Sequence, residues 1–178
     1  MAVLPISPIT ASISLIIHCL TTWGRLYFYA NNIKDAKSKL KEAERLYKVS
    51  QENKGLLHAN ILAWLGNIAR HKNVLIDAEN LYQNALEIFQ YTNDILGQGN
   101  IYENLGIINY KLDKLEEAEA LYPKALKFHK LANNNIGQGN DYYGLGDIYV
   151  ELNKFQRVKA SYQKALEFYN LTNDILGQ

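Results

Sequence analysis

The chain has little of several features that define whole classes of protein. Its single cysteine, Cys19, forms no internal disulfide, so nothing requires an oxidising compartment and we expect a cytoplasmic protein. Three prolines and 11 glycines exclude collagen and a proline-rich linker. Nineteen basic residues against 18 acidic ones leave a formal net charge of +1. That balance argues against a nucleic-acid partner bound through a broad basic field.

The N-terminal stretch also lacks charge, because the first charged side chain is that of Arg25. A signal peptide or membrane anchor would explain this, but there is no basic start. The uninterrupted apolar run, residues 9–20, is shorter than the roughly 20 residues that cross a bilayer. We therefore predict no membrane span, a poorly ordered apolar leader over residues 1–13, and a first helix over residues 14–30 that its neighbour buries.

What the chain does have is a repeat of forty residues. The tetrapeptide GQGN at 97–100 recurs at 137–140, and residues 97–136 and 137–176 are identical at 18 of 40 aligned positions. An earlier copy keeps the same period, and the first copy is offset by 42 residues. The period is marked by Gly66, Gly106 and Gly146, by Tyr82, Tyr122 and Tyr162, and by Ala85, Ala125 and Ala165. Such self-similarity is the signature of a tandem array.

Each repeat reads as two antiparallel helices. In the third copy, apolar residues spaced three or four apart predict helices over 97–112 and 115–130, joined by a polar turn. Neither helix buries its apolar stripe alone, so successive pairs must stack. The predicted domain limits are 14–54, 55–94, 95–134 and 135–173 for four repeats, with 174–178 opening a fifth.

One glycine in each repeat falls in the middle of the first predicted helix. Glycine there costs roughly 1 kcal/mol relative to alanine, so its recurrence needs a reason. We expect a neighbouring backbone or a large side chain to cross the helix at this position. The residues concerned are Gly24, Gly66, Gly106 and Gly146.

These positions resemble the tetratricopeptide repeat. In the fourth copy the aromatic, Leu-Gly, tyrosine and alanine positions of that repeat are filled by Tyr142, Leu145-Gly146, Tyr149, Tyr162 and Ala165. The period of 40 exceeds the usual length of about 34, as in the long-repeat subgroup similar to kinesin light chain and the polarity adaptors. The resemblance implies an all-α, right-handed superhelical solenoid of about four antiparallel helix pairs. It also implies a concave groove that binds a protein or peptide partner.

The same resemblance implies which residues face that groove, from their spacing around the marker glycine. Three of them, Asn60, Asn100 and Asn140, form a ladder that could hydrogen-bond the backbone of an extended peptide. The alternative is that these asparagines cap helices or satisfy linker carbonyls. Selectivity is expected from Trp64, Asn67, Arg70, Glu103, Tyr143 and Asp147. The remaining groove positions include Asn104, Ile107, Tyr110 and Gly144.

No constellation of residues predicts catalysis. The four histidines lie on different predicted helices, without a partner at metal-ligand spacing, and we expect them on the surface or in the groove. The GQGN copies follow no strand and lack the third glycine or Lys-Ser/Thr of a phosphate loop. We therefore expect no enzyme, no metal and no cofactor.

The sequence favours a non-catalytic scaffold for protein–protein interaction, and two alternatives stay open. One is a self-assembling module, in which an uncapped C-terminal face that includes Leu166 meets a second copy. The other is a sensor arm of a larger signalling ATPase or effector protein.

Overall fold

The computed structural model describes residues 8–50 and 55–176, with the side chains of residues 13–50 and 55–172. Within these limits the chain forms eight α-helices and no strand. The helices are α1 (Pro8–Tyr29), α2 (Ile33–Ser50), α3 (Leu56–His71), α4 (Leu75–Tyr91), α5 (Ile95–Lys111), α6 (Leu115–Leu131), α7 (Asn135–Glu151) and α8 (Phe155–Leu176). The predicted all-α repeat fold of helix pairs is confirmed.

The two ends of the helical array differ from the predicted limits. Helix α1 begins at Pro8, six residues before the predicted start of the first helix, while residues 1–7 lie outside the described part. Proline suits a first helical position, because its fixed φ fits the helix and its missing N–H is not needed there. Helix α8 continues to Leu176, so residues 174–176 belong to it and not to a separate helix of a fifth repeat.

Asparagine and aspartate end the helices. Six such residues adopt positive φ angles between 52° and 60°, a conformation that their short polar side chains tolerate better than others. The following backbone N–H returns to a carbonyl five residues earlier, as from Asp94 to Phe89 (2.9 Å) and from Asn134 to His129 (2.9 Å). The six residues are Asn31, Asn73, Asn93, Asp113, Asn133 and Asn153. These caps fix the short turns that the repeat requires.

The chain divides into two compact parts, here called the N-terminal half (Met1–Ile88) and the C-terminal half (Phe89–Gln178). In the N-terminal half, α1, α2 and α3 enclose a core whose largest fully buried side chains include Ile17, Leu40 and Ile61. In the C-terminal half, Tyr122, Leu145 and Ile148 form a corresponding cluster where α6 meets α7.

The mid-helix glycines mark close crossings, as expected. A Cβ atom at Gly66 would lie 2.6 Å from the ring of Tyr82, and one at Gly146 would lie 2.4 Å from the ring of Tyr162. Real Cβ atoms essentially never come so close, so a larger residue at either position would force the tyrosine ring or the helix to shift. The same relation joins Gly24 to Leu40 and Gly106 to Tyr122.

Among the described residues, no helix is long and apolar enough to cross a membrane.

Candidate binding groove

The two glycines of each GQGN tetrapeptide provide space in which aromatic or imidazole side chains pack. Each tetrapeptide lies in the first turns of a helix, α5 or α7, and each of its two glycines leaves room for a ring from the end of a second helix. Cβ atoms at these glycines would come within 2.5–2.6 Å of the ring atoms. The contacts join Gly97 to Phe89, Gly99 and Gly137 to His129, and Gly139 to Tyr169. The tetrapeptide is therefore a packing motif between helices.

The asparagine of each tetrapeptide bonds the ring that its glycine accommodates. Asn100 Oδ1 accepts a hydrogen bond from His129 Nε2 (3.1 Å), and Asn140 Oδ1 accepts one from the Tyr169 hydroxyl (2.9 Å). Neither asparagine is a helix cap, because Asp94 and Asn134 accept from the backbone N–H three residues on and fill that role. Both amide oxygens therefore already have partners within the chain.

His129 is fully buried, so the prediction that the histidines lie on the surface or in the groove is wrong for this one. The prediction that the four lie on different helices is also wrong, because His58 and His71 both belong to α3. Its Nδ1 lies 2.7 Å from Oδ2 of Asp141, which is also fully buried. Burial lowers the pKa of His129, but the hydrogen bond and charge of Asp141, assisted by Glu103, outweigh it and raise the pKa overall. Burial raises the pKa of Asp141 to about 6, against the opposing hydrogen bond from His129.

Glu103, His129 and Asp141 place three ligand-type atoms within 4.8 Å of one another, which is the spacing of a metal site. The hydrogen bonds of His129 do not fit that role. Both of its ring nitrogens lie within hydrogen-bond distance of an oxygen atom, Nδ1 of Asp141 Oδ2 and Nε2 of Asn100 Oδ1, so both are already engaged within the chain. The arrangement is that of a buried histidine–carboxylate pair inside the helix stack.

A cavity of about 320 Å³ opens between α5 and α7 in the C-terminal half. Seven of its nine lining residues come from the groove positions that the sequence predicted, namely Glu103, Ile107, Tyr110, Asn140, Tyr143, Gly144 and Asp147. The other two are Lys111 and Tyr122. A volume near 300 Å³ is at the small end of ligand sites, so this cavity matches one large side chain or a short segment.

The cavity is acidic and its carboxylates are held in place. Asn140 Nδ2 donates to Glu103 Oε1 (3.2 Å), and the Tyr162 hydroxyl donates to Asp147 Oδ1 (2.7 Å). Burial and then the Asp147 carboxylate raise the pKa of Tyr162 to about 12. Burial, followed by the charges of Glu151 and Asp147, raises the pKa of Tyr110. Both tyrosines therefore keep their protons at any physiological pH.

A family model of the tetratricopeptide repeat matches residues 57–128 and 97–170, together well over half of the chain. The chain belongs to the tetratricopeptide repeat family. That family is generally a non-catalytic fold for protein interaction, and its members bind protein or peptide partners. The resemblance drawn from Leu145-Gly146, Tyr162 and Ala165 is therefore confirmed.

Solved structures with the same repeat fold are distant in sequence. BtubC (BKLC) from P. vanneervenii has a TM-score of 0.78 at 20% identity over 90% of this chain and 66% of its own. Aspartyl phosphate phosphatase F from Bacillus subtilis has a TM-score of 0.80 at 14% identity, over 96% and 43%. The Rap conjugation gene regulator of plasmid pLS20, in complex with the Phr* peptide, has a TM-score of 0.74 at 16% identity, over 93% and 46%.

These similarities concern the fold alone. The chain spans from less than half to about two thirds of the length of those proteins. No curated protein matches the sequence.

In the N-terminal half, the tetratricopeptide groove positions have different surroundings. Asn60 and Trp64 line a smaller cavity of about 110 Å³ with His18, Thr21 and Arg25 among its other residues. Asn67 accepts a hydrogen bond from the Tyr82 hydroxyl (2.6 Å), the relation that Asp147 has with Tyr162. Arg70 lies at the end of α3 and is half-buried.

Some functional positions follow from the tetratricopeptide spacing and others do not. Asn104 Nδ2 donates a hydrogen bond to the backbone carbonyl oxygen of Asn100 (2.8 Å), and Asn104 does not line the cavity of the C-terminal half. Lys111 and Tyr122 do line that cavity, although no groove spacing points to them. The signal for Tyr122 was Gly144, because a Cβ there would lie 2.3 Å from the Tyr122 ring. The glycine stands where the earlier repeats have Trp64 and Asn104.

Proposed function

We propose that the chain is a non-catalytic binding module that holds an extended segment of a partner protein in the groove between α5 and α7. The observation that carries this proposal is the cavity of the C-terminal half, which is lined by seven residues at predicted groove positions. Exposed tyrosine at its rim supports the proposal, since the Tyr143 side chain is 52% exposed and aromatic residues dominate binding contacts.

The lining residues give the cavity no nucleophile with an adjacent base. They include no serine, threonine, cysteine or histidine, and both carboxylates already accept hydrogen bonds from Asn140 and Tyr162. The tetratricopeptide repeat regulator of plasmid pLS20 forms a complex with a peptide, which supports a peptide-like ligand here. Binding without chemistry is the function that these side chains favour.

The test is selection from a phage-displayed library of random dodecapeptides, followed by fluorescence anisotropy with the selected sequences. Ile107→Trp should fill the cavity and weaken binding by about tenfold or more, since the lost contacts lie at the centre of the site. The matched control is Gln83→Trp, an exposed position on α4 outside the groove, and circular dichroism checks that both variants fold. Equal binding by the wild type and Ile107→Trp would contradict the groove as the site.

Self-assembly stays a second prediction because part of α8 is apolar and exposed. Leu166 is 60% exposed and Leu171 is 49% exposed. Light scattering over a range of protein concentrations measures the mass directly. A mass that rises with concentration, and that Leu166→Glu returns to that of one chain, would favour self-assembly. The sensor-arm alternative stays a prediction from the sequence.

A further inference from the structure

The lining of the C-terminal cavity has a chemistry that selects among ligands. Two carboxylates, Glu103 and Asp147, belong to it, and the one basic lining residue, Lys111, lies exposed at the end of α5. Glu151 adds a third acidic group on α7, with Oε1 3.5 Å from the Tyr110 hydroxyl. Acidic groups therefore outnumber basic ones around the space.

The carboxylates are positioned in advance. Asn140 Nδ2 donates to Glu103 Oε1, and the Tyr162 hydroxyl donates to Asp147 Oδ1. A carboxylate accepts about four hydrogen bonds, so Asp147 has acceptor capacity beyond the contact that orients it, while Glu103 adds negative charge to the same cavity. Oriented, half-buried carboxylates attract a cation more strongly than mobile surface ones, because little side-chain entropy remains to be lost.

Tyrosine rings form the rest of the wall. Tyr110 and Tyr143 line the cavity from α5 and α7, and Tyr122 reaches it from α6 across Gly144. The faces of such rings attract cations, and a planar guanidinium also stacks on them. The ammonium group of lysine carries the same charge but is not planar, so it does not stack on a ring as a guanidinium group does.

We propose that this cavity takes an arginine side chain, with its guanidinium group hydrogen-bonded to Asp147, attracted by the charge of Glu103 and stacked on the tyrosine rings. The inference rests on the proposed function, since the arginine would come from the bound partner segment. Arginine fits better than lysine because its planar group stacks on a ring while its donors bond a carboxylate. Acidic and phosphorylated side chains are disfavoured here by the same carboxylates.

The test uses a small probe, N-acetyl-argininamide, titrated into ¹⁵N-labelled protein and followed by NMR. We expect shifts of the backbone amides of Ile107, Tyr143, Gly144 and Asp147. N-acetyl-citrullinamide has nearly the same shape without the charge and should bind at least about tenfold more weakly. The lysine analogue should lie between them. High ionic strength should weaken binding of the arginine probe.

The decisive variant is the double change Glu103→Gln and Asp147→Asn. It keeps acceptors for Asn140 and Tyr162, and asparagine at 147 recreates the contact that Asn67 makes with Tyr82. The matched control, Glu116→Gln with Glu117→Gln, removes the same charge from exposed residues at the start of α6. The first variant should lose binding of the probe by at least about tenfold, and the control should retain it.

The outcomes separate the two proposals. Absent shifts at the cavity, equal binding of the citrulline or lysine analogue, or full binding by the Glu103→Gln, Asp147→Asn variant would each overturn the arginine site. Selected dodecapeptides that lack arginine yet depend on Ile107 would leave the proposed function standing. Binding of the probe without any cavity-dependent peptide would leave an arginine site and contradict the peptide-binding function.

Discussion

Two successive repeats of this chain fill equivalent positions with opposite chemistry. Phe89 and Ile101 are both buried and apolar, whereas the residues forty positions later are His129 and Asp141, both fully buried and joined by a hydrogen bond. Each ring meets the glycine that opens the following GQGN, Gly97 beside Phe89 and Gly137 beside His129, but His129 also meets Gly99, whose counterpart forty residues earlier in the sequence is Ala59. The backbone therefore accepts either pair, and the side chains had to change together, since one charged partner left alone in the stack would be uncompensated.

We expect the largest loss of stability when one member of the His129–Asp141 pair is replaced by an apolar residue. His129→Phe leaves the Asp141 carboxylate buried beside a phenyl ring, and its Oδ1 already has no hydrogen-bond partner among the described residues. Removing one member of a buried pair costs about 3–5 kcal/mol. Denaturant unfolding of this variant should show that loss, and Asp141→Ile should show a similar one. A loss below about 1 kcal/mol would mean that the pair is not formed.

The double variant His129→Phe with Asp141→Ile rebuilds the preceding repeat's combination of Phe89 and Ile101. Replacing a buried ion pair by apolar residues is often neutral or stabilising. We expect the free energy of unfolding to return at least to within ~1 kcal/mol of the wild type, far from the sum of the two single losses. Strictly additive losses in the double-mutant cycle would show that the two positions act independently.

The wild type and this double variant should also differ in their dependence on pH. The folded-state pKa values of His129 and Asp141 are both raised, so the folded chain binds more protons and its free energy of unfolding falls as the pH rises. The contribution of Asp141 is full below its ordinary value of 3.8 and is lost as the pH passes about 6. The contribution of His129 to the free energy of unfolding is full below pH 6.5, its ordinary pKa, and is lost above that pH.

The difference should amount to roughly 3 kcal/mol from Asp141 alone, whose pKa rises from 3.8 to about 6, and is measured as unfolding free energies of the two proteins at successive pH values. Subtracting the double variant removes the titration of the other carboxylates and histidines, which both proteins share. A difference that is flat, or that rises with pH, would contradict the assigned pKa shifts.

A smaller effect is expected from the glycines that flank the two rings. An added Cβ in Gly137→Ala would meet the His129 ring, which hydrogen bonds hold on both sides. In Gly97→Ala the added Cβ would meet Phe89, whose ring makes no hydrogen bond and has more freedom to turn. We expect losses of roughly 2 kcal/mol and 1 kcal/mol, after the helix propensity gained from alanine is counted. Thermal unfolding would compare them, and the reverse order would mean that hydrogen bonding does not fix the ring.

The smallest effect is expected at the two helix caps. Asp94 and Asn134 accept the N–H of Gly97 at 2.8 Å and of Gly137 at 3.1 Å. Asp94→Ala and Asn134→Ala should each cost about 1 kcal/mol. The charged cap should cost a few tenths more, because aspartate also interacts with the helix dipole. Chemical denaturation at low and high salt would reveal this, since only the charged contribution is screened.

Much of the fold was predictable because it depends on local and periodic signals. The marker glycines and the tyrosines forty residues apart gave helix pairs whose limits lie within two residues of α5 and α6. The same spacing brought Glu103, Asn140 and Asp147 to one cavity. These positions depend on the repeat alone, so one repeat's geometry carries over to the next.

The polar contacts were not predictable in this way, because each depends on which side chain of another helix lies opposite. Asn140 was predicted either to bond a peptide or to cap a helix, and nothing in the repeat pattern indicated that Tyr169 and Glu103 would bond its amide. His129 and Asp141 are 12 residues apart across a turn, a separation that no metal or catalytic motif suggested. The available signal was the joint departure of both from their counterparts in the preceding repeat.

The buried pair of His129 and Asp141 also distinguishes one position in the array from its equivalents in the other repeats. Tandem sequences gain and lose whole copies when their genes misalign. Loss of residues 97–136 would place Asp141 twelve residues after Phe89, the spacing it now has from His129. Such a product would keep its helix periodicity but bury a carboxylate without a partner. The loss of one whole repeat would therefore destabilise the chain, even though the helix pattern is unchanged.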